Sequence, residues 1–178
     1  VTIKGDLLLG PGIGEGGAFI QGVTVEGTTT VEGGGTNSIH FENSVLATVI
    51  VNKKNGSVRI VTEGSTAIHE VVLQTGAKLE EEKGGSGKGF RAVTLSEGLP
   101  ENEIVDLAGA FEMVDVFSKS VRILIPEGAV QRLNVAPTAE HTNIAMGNDA
   151  QIFDLILDSA TIVTGAGQVH TATINTNG

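Results

Sequence analysis

The chain has 178 residues, of which 25 are Gly, and it contains no Cys, Trp or Tyr. Its 11 basic and 21 acidic residues give a net charge of −10, which argues against nucleic acid and anionic membranes as partners, because both are bound through clustered Lys and Arg. The lack of Cys excludes disulfides, thiolate metal sites and cysteine nucleophiles. No apolar run is long enough for a transmembrane helix, and the length suggests one domain.

One six-residue pattern recurs along the chain. It has an apolar residue, two variable positions, an apolar or small residue, one variable position and a final apolar residue. The copies begin at Ile20, Leu46, Ile68, Phe90, Phe111, Val130, Ile152 and Val169. They are 26, 22, 22, 21, 19, 22 and 17 residues apart, so the period is about 21 residues. This β-branched alternation predicts strands rather than helices.

A second strand-like run precedes many of the copies by five to eight residues, as Val58 and Ile60 do. Turn residues separate the two runs, for example Glu63–Gly64 and Glu127–Gly128. Gly between strand-like runs is typical of tight corners. Each period therefore contains two or three short strands joined by corners.

A period of this size matches one coil of a parallel β-helix. We predict an all-β, single-domain, right-handed parallel β-helix (a solenoid) of about eight rungs over residues 1–178. Right-handed winding is expected because β-crossover-β connections are almost always right-handed. Eight rungs at the spacing of adjacent strands give a rod about 40 Å long. An antiparallel β-sandwich or jelly roll is the alternative.

The position after the start of each copy should point outward from the coil. On three successive rungs it holds His69, Arg91 and Glu112, which should lie close enough to interact. This strip is a candidate binding site for an uncharged or cationic polymer. A solvated polar ladder with a weak Arg91–Glu112 ion pair is the alternative.

The segment from Glu80 to Gly89 interrupts the period with a polar, Gly-rich stretch that should bulge from a corner. Oxygen-rich loops suit Ca²⁺. Since alternate residues of an extended segment face one way, Glu80 and Glu82 are the pair that could hold a Ca²⁺ ion. A solvated acidic loop is the alternative, and no other cofactor is expected.

The aromatic residues are few and mostly belong to the predicted core. Phe41, Phe90 and Phe111 fall at inward positions, whereas Phe19 and Phe153 do not. Without Trp or Tyr, sugar binding would depend on polar strips rather than on stacking.

Catalysis finds little support in the sequence. Glycoside hydrolysis needs two convergent carboxylates, and the Asp and Arg residues do not recur from rung to rung. The four His residues lack metal-ligand spacing, so zinc is not expected. We predict no catalytic residues.

Three stretches resemble known repeats: residues 5–10, 31–39 and 58–66. They look like the β-helical repeats of large cell-surface proteins of Gram-positive bacteria, often found beside S-layer-homology anchors, and this resemblance implies the pectate-lyase-like superfold. The resemblance covers most of the chain. It implies an extracellular, polymer-rich setting, and a chain that is a fragment of a larger surface protein. It supplies no catalytic residues.

The sequence therefore predicts a non-catalytic extracellular module, a rigid spacer or adhesion element of a bacterial surface protein. Its partners would be polysaccharide or neighbouring domains of the same protein. A carbohydrate-binding module is the first alternative, and a pectate-lyase-like polysaccharide lyase is the second.

Overall fold

The computed structural model describes residues 1–36 and 38–176 and consists almost entirely of strands. The strands are β1 (Thr2–Ile3), β2 (Leu7–Leu9), β3 (Ala18–Gln21), β4 (Thr24–Val31), β5 (Ile39–Glu42), β6 (Val45–Val51), β7 (Val58–Glu63), β8 (Ala67–Leu73), β9 (Ala77–Glu81), β10 (Gly89–Leu95), β11 (Ile104–Val116), β12 (Arg122–Val135), β13 (Thr142–Leu157), β14 (Thr161–Gly165) and β15 (Gln168–Ile174). A short 3₁₀ turn covers Pro11–Ile13.

The strands wind into a β-solenoid of about eight turns, as predicted. Every strand pair in the described part of the chain is parallel, which excludes the antiparallel sandwich. One ladder runs β4–β6–β8–β10–β11, and another runs β3–β5–β7–β9–β11. Both continue through β12 and β13, and they end on β15 and β14 respectively.

The two strand-like runs of each period become one long strand in β11, β12 and β13. These strands bend where Gly109 and Gly128 face each other in adjacent coils. Both glycines have positive φ, and a Cβ on Gly128 would lie 2.0 Å from the Gly109 carbonyl oxygen. Only Gly fits this close approach at the bend.

The core consists of aliphatic and aromatic columns that stack from coil to coil. In the pattern copy that begins at Leu46, Leu46, Val49 and Val51 are all fully buried. The predicted positions of the phenylalanines are confirmed. Phe41, Phe90 and Phe111 are buried, and the Phe90 and Phe111 rings stack 5.6 Å apart, whereas Phe19 and Phe153 are exposed.

The first predicted pattern copy is in the wrong register. Val25, not Ile20, pairs with Leu46, and Thr29 pairs with Val49. Ile20 instead pairs with Phe41 in the other ladder. The pattern failed because β4 carries one extra residue between Val25 and Thr28, and because a buried Thr, rather than an aliphatic residue, takes the next inward position.

The Gly-rich segment after β2 packs as a strap across the following loop. The backbone N–H of Gly34 donates to the carbonyl of Gly14 at 2.9 Å, and that of Gly35 donates to Gly16 at 3.1 Å. Lys53, whose side chain is 5% exposed, pairs with Glu15 of the strap. The Lys53–Glu15 pair ties the strap to the loop between β6 and β7, which forms one wall of the groove described below.

Candidate functional site

The described surface has a groove of about 640 Å³. It lies at the N-terminal ends of β7, β9 and β11, next to the loops that precede these strands. The loop between β6 and β7 contributes Ser57 to one wall, and the loop between β10 and β11 contributes Asn102 and Glu103 to the other. Between them the connection from β8 to β9 is only residues 74–76. This short turn leaves a notch about two strand spacings, or roughly 10 Å, wide.

Three charged residues on successive coils form the floor of this groove. Arg59 pairs with Lys78 across β7 and β9, and Lys78 pairs with Asp106 across β9 and β11. Because side chains alternate along a strand, all three face outward, between the inward residues on either side. All three line the groove.

Glu80 fixes both cations of the floor. The Arg59 guanidinium donates through Nε and Nη2 to the two carboxylate oxygens at 2.9 and 2.8 Å, and Lys78 Nζ lies 3.1 Å from Oε2. Arg59 Nη1 also donates to the hydroxyl of Ser38. These hydrogen bonds, with that from Arg59 the largest influence, lower the pKa of Glu80 to about 2 and raise that of Arg59. The two cations are therefore held in position rather than left free.

Asp106 has no such compensation. Its Oδ1 is buried and has no hydrogen-bond partner, and the carboxylate forms no ion pair in the described part of the chain. Burial raises the pKa of Asp106, Lys78 opposes this rise, and Glu80 adds to it. An ionised, half-buried carboxylate without donors destabilises the fold.

Glu103 adds a second carboxylate to the groove without a cation partner among the described residues. Its carboxylate lies where a side chain on Gly76 would be, because a Cβ on Gly76 would be 2.2 Å from Oε2. The groove thus combines two cations tied to Glu80 with two carboxylates that have no ion-pair partner within residues 1–36 and 38–176.

A second outward column lies beside this floor. His40 Nδ1 contacts the carboxylate of Glu63, and the His40 ring stacks on Phe19 with ring centroids 4.4 Å apart. Phe19 is 79% exposed. This aromatic pair lies on the same ladder as the groove, towards the N-terminal end.

In the predicted outward strip, the structure shows a contact between Arg91 and Glu112. His69, Arg91 and Glu112 follow the inward residues of successive coils, and Arg91 Nε lies 3.2 Å from Glu112 Oε2. Both of these side chains are at least one-third exposed. The strip continues to Phe153, which stacks on His170 at 4.5 Å. The strip lies outside the large groove, and its binding role stays a prediction.

The predicted Ca²⁺ pair is divided between two environments. Glu80 is bound by Arg59 and Lys78, whereas Glu82 is exposed in the loop after β9. Among residues 1–36 and 38–176, no group of three or more acidic or His side chains is arranged to hold a metal ion. The loop itself folds back, with Ser86 N–H donating to the Gly64 carbonyl and Lys83 paired with Glu127.

Sequence reasoning missed the groove and its floor. Arg59, Lys78 and Asp106 are 19 and 28 residues apart, because the loops of residues 82–88 and 96–103 both lengthen the second of these coils. Aligning the strand-like runs that precede the pattern copies, rather than the copies themselves, would have placed the three in one column. The walls of the groove depend on the lengths of the loops, and a search for the recurring apolar pattern does not consider loop length.

Comparisons with known proteins found similarity to part of a solved bacterial enzyme. No family model and no curated protein matches the chain. Among solved structures, it is similar to a chitinase from Paenibacillus sp. str. FPU-7, described as a bacterial cell-surface-expressed multi-modular enzyme machinery. The TM-score is 0.73 and the sequence identity is 36%, over 76% of this chain and 12% of the chitinase.

The fold class is therefore that of a β-solenoid with a counterpart in a multi-modular surface enzyme. The chain spans only a small part of that enzyme's length. In the described part of the chain, no helix has the length and apolar character needed to cross a membrane.

The Arg59–Glu80 pair predicts a pH effect. In the variant Arg59→Met, the pKa of Glu80 should rise from about 2 towards 4.5, because its strongest hydrogen-bond donor is lost. A carboxyl whose pKa is lowered by folding stabilises the protein above its unfolded pKa, and this contribution fades as pH falls through the folded value. The variant should therefore lose about 1 kcal/mol of stability at pH 7 and less at pH 2.

An NMR titration of the Glu80 carboxyl and urea unfolding at both pH values measure these effects. Arg132→Met, which breaks the exposed pair with Asp154 at 2.9 Å, is the matched control and should leave Glu80 unchanged. An unaltered Glu80 pKa in Arg59→Met would contradict the assigned contact.

Proposed function

We propose that this chain is a non-catalytic extracellular module that acts as a rigid spacer or adhesion element in a bacterial cell-surface protein. The observation that carries the proposal is the unbroken stack of inward columns over about eight coils. It makes the chain a stiff rod with outward faces free for docking. The similarity to 12% of a cell-surface-expressed, multi-modular chitinase supports the same setting. The same proposal includes that this chain is part of a larger protein associated with an S-layer.

The groove supports a binding role more than a catalytic one. Hydrolysis of a glycosidic bond needs a general acid and a second carboxylate that acts as a nucleophile or base. Glu80 is committed to Arg59 and Lys78, and its low pKa leaves it unable to donate a proton near neutral pH. Burial raises the pKa of Asp106, which suits a proton donor, so Asp106 and Glu103 are the pair through which the groove would have to act as an enzyme.

Incubation with soluble and insoluble polysaccharides tests the absence of catalysis. Chitin, xylan, cellulose and pectate should release no reducing ends above background, with an active chitinase as positive control. Pectate with Ca²⁺ should also release no unsaturated product that absorbs in the ultraviolet. Product that grows with protein concentration, and is lost in Asp106→Asn, would instead establish an enzyme.

Carbohydrate binding is the second candidate, and the groove is the observation that favours it. Its width suits one polysaccharide chain, and its lining combines side chains that can hydrogen-bond to hydroxyl groups, such as Ser57 and Asn102, with apolar residues such as Val58 and Ile104. The described chitinase acts on chitin, as its name states, which makes amino-sugar polymers the first ligands to test.

Affinity electrophoresis in gels containing xylan, pectin, soluble cellulose or a soluble chitin derivative tests this second candidate. We expect retardation in at least one gel, with bovine serum albumin as the unretarded control. Equal mobility in every gel would remove carbohydrate binding and leave the spacer function.

A further inference from the structure

We propose that the groove over Arg59, Lys78 and Asp106 binds a cationic amino sugar, with its ammonium group on Asp106 and its hydroxyl groups on the neighbouring floor and walls. This inference rests on the carbohydrate-binding candidate and names its site and ligand class. It is argued from the charges of the groove, its hydrogen-bonding capacity and its shape.

The charge balance of the groove favours a cation. Arg59 and Lys78 both pair with Glu80, at 2.8 and 3.1 Å, so these three side chains together carry one positive charge against the two negative charges of Asp106 and Glu103. Asp106 and Glu103 keep carboxylates without ion-pair partners among the described residues. The whole chain carries a charge of −10, so an anionic polymer such as pectate would be repelled at long range as well.

Asp106 has an unused hydrogen-bond acceptor in the groove, which a ligand with a hydrogen-bond donor would satisfy. A carboxylate accepts several hydrogen bonds, and this one has a buried oxygen that receives none from the residues that the structure describes. Leaving such a group without a partner costs free energy in the absence of ligand. An incoming ammonium group compensates the carboxylate's charge, and charge-assisted hydrogen bonds of this kind are stronger than neutral ones.

The shape of the groove favours a sugar chain over a single small cation. Its volume of about 640 Å³ falls in the range of sites that enclose an organic ligand. The walls supply polar groups from Ser57, Asn102 and Glu103, which pair with hydroxyl groups. Lys78, held at Glu80, can donate to a ring or hydroxyl oxygen next to the ammonium at Asp106.

The ionised carboxylate of Asp106 should also lower the stability of the folded protein. Folding raises its pKa above the unfolded value, so its ionised form opposes folding at neutral pH, and the penalty disappears as pH falls and the carboxyl is protonated. The charged groups facing it are Lys78, Glu80 and Glu103. Asp106→Asn should therefore fold and melt at the same or a higher temperature than the parent at pH 7.

Isothermal titration with a glucosamine hexamer at pH 6 and low salt tests the site. We expect saturable binding, a loss of about tenfold in affinity in Asp106→Asn, and a similar loss when salt is raised to screen the charges. The N-acetylglucosamine hexamer, which lacks the charge, should bind at least tenfold more weakly. The matched control Asp154→Asn, on the other ladder, should bind like the parent.

Three results would overturn the proposal: no binding of the glucosamine hexamer, equal affinity in Asp106→Asn, or equal affinity for both hexamers. These results are distinct from a failure of the candidate function. If the protein is retarded in a polysaccharide gel and Asp106→Asn is retarded equally, carbohydrate binding stands and the site is wrong. Loss of retardation in Arg91→Ala would then place binding on the His69–Arg91–Glu112 strip.

Discussion

The structure depends on the parallel stacking of each coil on the one before it. Adjacent strands in a sheet are about 4.8 Å apart, so every inward side chain lies directly against its equivalents in the neighbouring coils. A column of this kind packs well only when it is apolar. Two exceptions are Thr29 and Thr62, whose hydroxyls are buried without hydrogen-bond partners in the described part of the chain. They lie at positions where the neighbouring coils place Val49 and Phe41.

Because the inward columns must be apolar, functional side chains lie on the outside of the coil. Outward columns are free to vary, and loops can lengthen without breaking the ladder. In this chain the short turn of residues 74–76 lies between two longer loops, and the notch between them exposes Arg59, Lys78 and Asp106. The strap around Glu15 and its bond to Lys53 hold one of those loops in place. The site therefore results from differences in loop length on a regular scaffold.

The regular part of the molecule could be predicted from the sequence. The period, the strands and the inward residues follow from the alternation of apolar side chains, which the stacked columns require. The adjacency of Arg91 and Glu112 could also be predicted, because the register within this ladder is constant. Prediction failed at Val25, where one inserted residue and a buried Thr shift the pattern. It also failed at the groove, since loop paths are not encoded in the period, and since Asp106 appears isolated until the strands are aligned.

Equilibrium unfolding of two Phe→Ala variants tests the central claim, that inward columns hold the coils together while outward positions are free. Phe111 is 2% exposed and stacks on Phe90, whereas Phe19 is 79% exposed. We expect Phe111→Ala to lower the free energy of unfolding by about 3–5 kcal/mol and Phe19→Ala to lower it by less than about 1 kcal/mol, as measured in urea. Equal losses, or a larger loss at Phe19, would contradict the stacked-column account.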